Sequence, residues 1–344
     1  MVRALPALAP EPAGAAHGAR LSAAGALAAG LRAAARNWGL AAFLLALNLG
    51  LAAVLAVPLA GALEEGFAHR DAAQNMLTGF DYGWWTAWSE RQTGAAADFG
   101  PEILGAGFVF RNLELLLGGQ LPARLFAPAA AAGPRVDGVI LAVGVLYLVV
   151  QTFLAGGLLG VLRTPSAGWT VRGLLHGSGF YAGRMFRLLA LTLLVDGLVF
   201  ALHAPFARFA VNRAREAVSE NTALVWLFGH HALLLLALLA VHLLAGYAKA
   251  IVVVEERSSA VLAMLSALGF CGRNPGRTIL HSAAVLLIGI ALVAAWTGLD
   301  GLVPVSGYRT QLLWLVLAQG FVGLRLFLRV SLLGGQVALY RATA

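Results

Sequence analysis

Six apolar runs, each long enough to cross a hydrocarbon layer as a helix, divide this chain. They fall at about 39–63, 138–162, 186–204, 222–248, 278–299 and 311–335. About 20 apolar residues span a hydrocarbon core of about 30 Å. Only 12% of the residues are charged and 60% are hydrophobic, whereas soluble domains carry about 25% charged residues. The spacing and composition together predict an all-α polytopic membrane protein with six transmembrane helices.

The basic residues set the expected orientation. With the N-terminus inside, the segments 1–36, 163–187, 249–277 and the tail from 325 hold 15 of the 24 basic residues. Among acids, only Glu11, Glu255 and Glu256 fall there. Basic residues collect on the cytoplasmic side of short loops, so both termini are expected in the cytoplasm. The net charge of +8 then reports topology and contact with anionic lipid headgroups, not nucleic acid. The expected surroundings are the inner membrane of a bacterium, with a membrane-protein partner as a further candidate. Arginine outnumbers lysine 23 to 1, the bias of a GC-rich genome. Cys271 is the single cysteine, which excludes an intrachain disulfide.

Residues 1–36 read as a cytoplasmic tail followed by a helix on the membrane surface. Leu21–Leu31 is too diluted by small residues, and too closely followed by Arg32 and Arg36, for a signal-peptide core. The six-span domain then runs over 37–344. Its outer insertion, 64–137, is expected to hold a helix around Met76–Trp88 on the outer leaflet and another over Ile103–Leu117. Its cytoplasmic connectors are 163–187 and 249–277.

The stretch Tyr247–Arg277 is the longest polar interruption on the inner side. It turns at Glu255-Glu256-Arg257 and continues as an amphipathic segment. Ser258 is placed to cap it, Val261, Leu262, Leu265 and Leu268 share a side, and Asn274-Pro275 stops it. A helix along the inner interface is predicted over 258–270. Similar lead-ins, Arg20–Arg36 and Ser166–Arg187, precede the first and third spans. Gly179-Phe180-Tyr181-Ala182-Gly183-Arg184 echoes Gly269-Phe270-Cys271-Gly272-Arg273, and Arg36-Asn37 echoes Arg273-Asn274. A triplicated hairpin is one reading, since transporters often carry repeats. The other is that every cytoplasmic entry to a span needs arginines and a turn.

Asp196 in the third span is expensive in lipid and a functional candidate by default. Arg325 in the sixth span is its expected partner, with Arg329 one turn deeper on the same face. Asp196, Arg325 and Arg329 form the candidate intramembrane polar site. Arg184, Arg187, Lys249, Arg273 and Arg277 are candidate lipid-headgroup contacts. His203 with His231, and His242 with His281, have a spacing that bis-histidine haem ligation would use. His203, His230 and His231 make a similar case for a metal. Interfacial or core roles are commoner, and neither cofactor nor metal is assigned. No Ser/His/Asp arrangement, phosphate loop or HExxH helix occurs in the sequence, which favours a non-enzyme.

Four local patterns carry a family resemblance. They are Phe153-Leu154-Ala155-Gly156-Gly157, Gly179-Phe180-Tyr181 with Arg184, Tyr247-Ala248-Lys249 with Glu255-Glu256-Arg257, and Arg273-Asn274-Pro275-Gly276-Arg277. Over about 30–340 the chain resembles an uncharacterised bacterial family of six-span inner-membrane proteins. More distantly, it is similar to the membrane domain attached to some glycerophosphodiester phosphodiesterases. The resemblance implies fold and topology but no activity, because the phosphodiesterase catalytic domain has no counterpart here. The expected function is a non-catalytic module that organises or regulates a membrane partner or lipid. The alternative is a transporter or lipid-handling permease using Asp196 and Arg325.

Overall fold

The computed structural model describes residues 21–67, 80–100, 137–164, 168–300 and 307–343. Among these are nine α-helices and no strand: α1 (Ala23–Arg36), α2 (Trp38–Gly66), α3 (Tyr82–Ser89), α4 (Gly138–Arg163), α5 (Val171–Glu216), α6 (Glu220–Val254), α7 (Ala260–Arg273), α8 (Pro275–Asp300) and α9 (Tyr308–Thr343). Six of them, α2, α4, α5, α6, α8 and α9, are long and apolar enough to cross a membrane. The expected six-span, all-α fold is the one observed.

The helices group into three units of one design: a lead-in, an outgoing span and a return span. Unit one is α1, α2 and α4; unit two is α5 and α6; unit three is α7, α8 and α9. Each lead-in starts at a hydroxyl cap, which satisfies an orphan helix amide. The Ser22 side chain accepts from the Gly25 amide, Thr170 from Gly173 and Ser259 from Leu262. Fourteen residues after each cap stands an arginine: Arg36, Arg184 and Arg273. Asn37 and Asn274 follow in units one and three. Each Asn side-chain amide donates back to the carbonyl four residues earlier, Ala33 O at 2.9 Å and Phe270 O at 3.2 Å. This ends the lead-in and lets the span leave in a new direction. Unit two has Met185 there, fully buried, and nothing interrupts the helix. The expected break before the third span is therefore absent.

Each lead-in packs against the return helix of the preceding unit, and the series closes on itself. The start of α5 lies on α4, α7 on α6, and α1 on α9. The contact uses small residues, which let helix backbones approach. On α4 the residues are Gly156-Gly157 and on α9 Gly334-Gly335, at matching positions. A Cβ on Gly157 would stand 2.1 Å from Leu174 O; one on Gly335 would stand 2.8 Å from Ala26 O. Leu174 and Ala26 are both the fourth residue after the cap. A Cβ on Gly156 would meet the Tyr181 Cβ, and one on Gly334 the Ala33 Cβ, again matching positions. On α6, where the third lead-in seats, the matching pair is Gly246-Tyr247. There the lead-in supplies the small residues, buried Ala263 and Ala267, and the Tyr247 and Phe270 rings meet at 5.3 Å. The triplicated hairpin is thus written in the packing. Its register pairs Phe270 with Tyr181, one residue away from the pairing that the local wording suggests.

The return helices α4, α6 and α9 touch one another. Tyr247, Ala248, Ala250, Ile251, Val252 and Val253 of α6 are fully buried, so the stretch that begins at Tyr247 anchors the core.

Four other boundaries differ from expectation. α1 does not lie free on a surface: Ala26, Gly30 and Ala34 are buried, because a small-residue stripe recruits α9. α5 continues through Pro205 to Glu216, about 69 Å at 1.5 Å per residue. The Phe209 and Trp226 rings meet edge-on at 5.6 Å and tie this extension to α6. α9 continues past Tyr340-Arg341 to Thr343, held by buried Leu339 and Tyr340. In the outer insertion, Trp85 and Trp88 of α3 are buried, and Trp88 Nε1 donates to Ala62 O at 3.2 Å. This helix therefore packs on the end of α2. Ile103–Leu117 lies outside the described residues.

Gly157→Ala is expected to lower stability by about 1–3 kcal/mol, the usual cost of overpacking. Gly160→Ala, with open space around its Cβ, is expected to be neutral or mildly stabilising. Thermal unfolding midpoints in detergent measure both.

Candidate functional site at the basic end of the bundle

The three return helices end at one level, and arginines link their last carbonyls. Arg341 Nη1 of α9 donates to the Arg163 carbonyl of α4 at 2.9 Å. Arg163 Nη1 in turn donates to the Val253 carbonyl of α6 at 2.8 Å. Arg341, Arg163 and Val253 hold the same position in the three units, six residues past the second residue of the Gly-Gly or Gly-Tyr pair. Two links of a three-membered ring are thus alike. Val253 has no donor for the third. The turn after it takes over instead: Tyr340 of α9 donates to the Glu255 carboxylate. The turn holds Glu256 at φ 56°, a conformation that is uncommon for a residue with a side chain.

This turn gathers neighbours from four helices. Glu256 Oε1 accepts from Arg163 at 2.9 Å, and its carbonyl from Arg184 at 3.0 Å. Arg257 donates to Glu255 and, at 2.7 Å, to Ser266 Oγ of α7. The Arg163–Glu256 pair is partly exposed, so solvent screens it and its own contribution is small. The carbonyl bond from Arg163 fixes where α4 meets α6.

Between adjacent return helices lie three gaps, each faced by one lead-in. Tyr181 fills the gap between α4 and α6, with its hydroxyl 3.5 Å from Val253 O. Phe270 fills the gap between α6 and α9, between the Tyr247 and Tyr340 rings at 5.3 and 4.9 Å. In the gap between α9 and α4 the matching residue is Ala33. A cleft of about 440 Å³ opens there. Arg32, Arg36 and Arg341 line it, together with Ala29, Val161 and Val337.

Of the expected headgroup contacts, Arg187 and Arg273 remain exposed and bond only to carbonyls of their own helices. Arg184 is spent on Glu256 and lies over the Phe180 and Tyr181 rings at 5.1 and 5.5 Å. Arg277 is half-buried, with Nη1 buried and unbonded. Lys249 points inward, close enough to Arg329 for their charges to interact. Arg329 Nη1 donates to Gln151 Oε1 at 2.7 Å; these two also hold one position in their units, with Val241 as the third.

The expected Asp196–Arg325 pair does not form. Asp196 Oδ2 lies 3.5 Å from His242 Nε2 on α6, because α5 and α6 are adjacent antiparallel helices. The Arg325 guanidinium is exposed, over the Phe321 ring at 5.7 Å. The haem pairing of His242 with His281 also fails: His242 faces Asp196, and His281 is fully buried against Gly335. His203 Nε2 meets the His230 carbonyl at 3.0 Å, and His231 Nδ1 the Leu227 carbonyl at 2.7 Å. No His/Cys/Asp/Glu cluster suited to a metal ion occurs among the described residues. The cleft residues Arg32, Arg36 and Arg341 are absent from the sequence-derived site. For Arg36 the signal was the shared distance from hydroxyl cap to arginine, which sets the three lead-ins in register.

No family model, curated protein or solved structure matches the chain.

Two outcomes follow. Asp196→Asn and His242→Ala should couple by about 0.5–3 kcal/mol in a double-mutant cycle, as contacting residues do, while Asp196→Asn and Arg325→Gln should add. Burial pushes the Cys271 thiol up to about 11, against a weaker opposing hydrogen bond from Thr278. The thiolate is the reactive form, and it forms only as pH rises toward that value. Maleimide at pH 7 should therefore label Cys271 slowly in folded protein and rapidly after denaturation.

Proposed function

We propose that this protein is a non-catalytic, multi-pass module of the bacterial inner membrane that organises lipid or a partner protein at the cytoplasmic leaflet. The observation that carries the proposal is the outer face of α7. Val261, Leu262, Leu265 and Leu268 are 54–57% exposed, while Ala263 and Ala267 behind them are fully buried. A soluble helix would turn its leucines inward and its alanines out. This helix has 14 residues, too few to cross a core of about 30 Å. Exposed Arg273 stands at its end. An apolar face with a basic terminus suits a helix lying in the headgroup region of an anionic leaflet.

The basic end of the bundle is then the cytoplasmic end, in line with the positive-inside count. All three lead-ins end in an arginine at that level, so the module presents a basic collar to one leaflet. The transport alternative rests on Asp196, the intramembrane arginines and the repeats, of which the expected meeting of Asp196 with Arg325 is missing. Asp196 instead meets a largely exposed histidine, and the two residues define no common path.

Single cysteines at 261, 262, 265 and 268, and in comparison at 263 and 267, are introduced in a Cys271→Ser background. Spin labels at the first four should be accessible to oxygen and shielded from a water-soluble relaxant in nanodiscs. Equal exposure to the aqueous relaxant at all four would overturn the interfacial reading. In intact cells, an impermeant maleimide should label Thr93→Cys and spare Gly272→Cys; the reverse result would invert the topology.

A further inference from the structure

The three gaps at the basic end share one design, so each can be read against the others. In the gap between α4 and α6, Tyr181 is the plug and Glu256 neutralises Arg163. In the gap between α6 and α9, Phe270 is the plug and Glu255 takes Arg257 and Tyr340. The gap between α9 and α4 departs from both at two positions and from the first at a third. Ala33 replaces the aromatic plug. Arg32 stands where the other lead-ins have Phe180 and Gly269. In the sequence, the position of Glu256 is taken by Ser166. The result is an open cleft of about 440 Å³ in which Arg32 and Arg341 have no carboxylate beside them among the described lining residues.

Both arginines have donors to spare. Arg32 uses Nε on the Ala28 carbonyl at 3.2 Å, which leaves both terminal nitrogens. Arg341 uses Nη1 on the Arg163 carbonyl, which leaves Nη2 and Nε. Asn37 also lines the cleft; it is 5% exposed, and its Oδ1 is buried with no donor. The walls, among them Val161 and Val337, are apolar. The cleft therefore offers guanidinium donors for an anion, an acceptor for a hydroxyl, and apolar surface beside both. Its volume falls within the roughly 300–1,000 Å³ common for small-molecule sites. It sits where α2 begins and α4 ends, at the edge of the apolar spans.

We propose that the cleft between α1, α4 and α9 binds the phosphate of an anionic glycerophospholipid, with Arg32 and Arg341 as its ligands and Ala33 as the residue that leaves room for it. Guanidinium groups suit phosphate because their planar donors bind two oxygens at once. The headgroup hydroxyls of a phosphatidylglycerol would find the Asn37 acceptor, and the glycerol and upper acyl carbons the apolar walls. The inference rests on the proposed inner-leaflet module for the source of the ligand, but on the cleft itself for the site.

The test uses the full chain in detergent, titrated with dioctanoyl phosphatidylglycerol, dioctanoyl phosphatidylcholine and inorganic phosphate, with binding read by native mass spectrometry. One equivalent of phosphatidylglycerol should bind, in preference to phosphatidylcholine. Ala33→Phe, which restores the plug of the third unit, should weaken it at least about tenfold. Arg32→Gln and Arg341→Gln should do likewise, as loss of a charge-assisted bond implies, and these two keep the test decisive should Ala33→Phe fail to fold. Arg91→Gln, exposed in the outer insertion, should leave this binding unchanged. Phosphate alone binding as tightly as the lipid, with the same sensitivity to Arg32 and Arg341, would support the anion site and overturn the lipid as its source. Unchanged phosphatidylglycerol binding in folded Ala33→Phe and Arg32→Gln would overturn the cleft. If binding were then lost in Arg273→Gln instead, the leaflet-organising module would stand without this site.

Discussion

The close approach of each lead-in to the return helix before it is the contact on which the rest of the structure depends. Lipid surrounds such helices with a solvent as apolar as their side chains, so burial against each other brings little hydrophobic gain. What remains is van der Waals contact, and that requires small residues. Gly157 against the Leu174 carbonyl and Gly335 against the Ala26 carbonyl leave no space for a methyl group. Because α1 seats on α9, the first lead-in and the last span join, and the three units close into a ring. This closure gathers the ends of α4, α6 and α9 at one level, where Arg341 reaches the end of α4, Arg163 the end of α6 and Tyr340 the turn after α6.

Departures from threefold repetition are where this molecule becomes specific. Asn37 and Asn274 break the helix; Met185 does not, so the second unit has a single long helix in place of two. Tyr181 and Phe270 fill their gaps; Ala33 does not. The exposed leucines belong to the third lead-in, while the open basic cleft belongs to the first. One hairpin design thus carries three different surfaces: a continuous strut, a cleft and a helix with exposed leucines. The arginine common to all three, at 36, 184 and 273, adds to the basic residues gathered at the basic end of the bundle.

Much of this was legible in the sequence. The six spans followed from the length of the apolar runs, and the α7 helix from the Val261, Leu262, Leu265 and Leu268 stripe between a serine cap and Asn274-Pro275. The repeat was visible only as short echoes. Its conserved elements, a hydroxyl cap, a few buried small residues and a terminal arginine, are common residues in a chain with 41 glycines. The side to which Ala26, Gly30 and Ala34 turn was hidden because the apolar side of α1 reads equally as facing lipid or facing a neighbouring helix. Asp196 was misassigned for a related reason. Depth along a helix can be counted from sequence, but which neighbour stands beside it cannot, and α6 stands there with His242. The cleft was invisible because it is defined by what Ala33 lacks relative to Tyr181 and Phe270, a comparison that needs the register.

The central claim is the threefold arrangement of the lead-ins. Ala35, Gly183 and Gly272 hold the same position in the three units, thirteen residues past each cap, and all three are exposed. Spin labels placed there in pairs, in a Cys271→Ser background, give three distances by pulsed electron paramagnetic resonance in nanodiscs. The arrangement predicts three narrow distributions with nearly equal means. One mean set well apart from the other two, or a broad distribution for the pairs that include Ala35, would contradict it by showing that α1 does not close the ring.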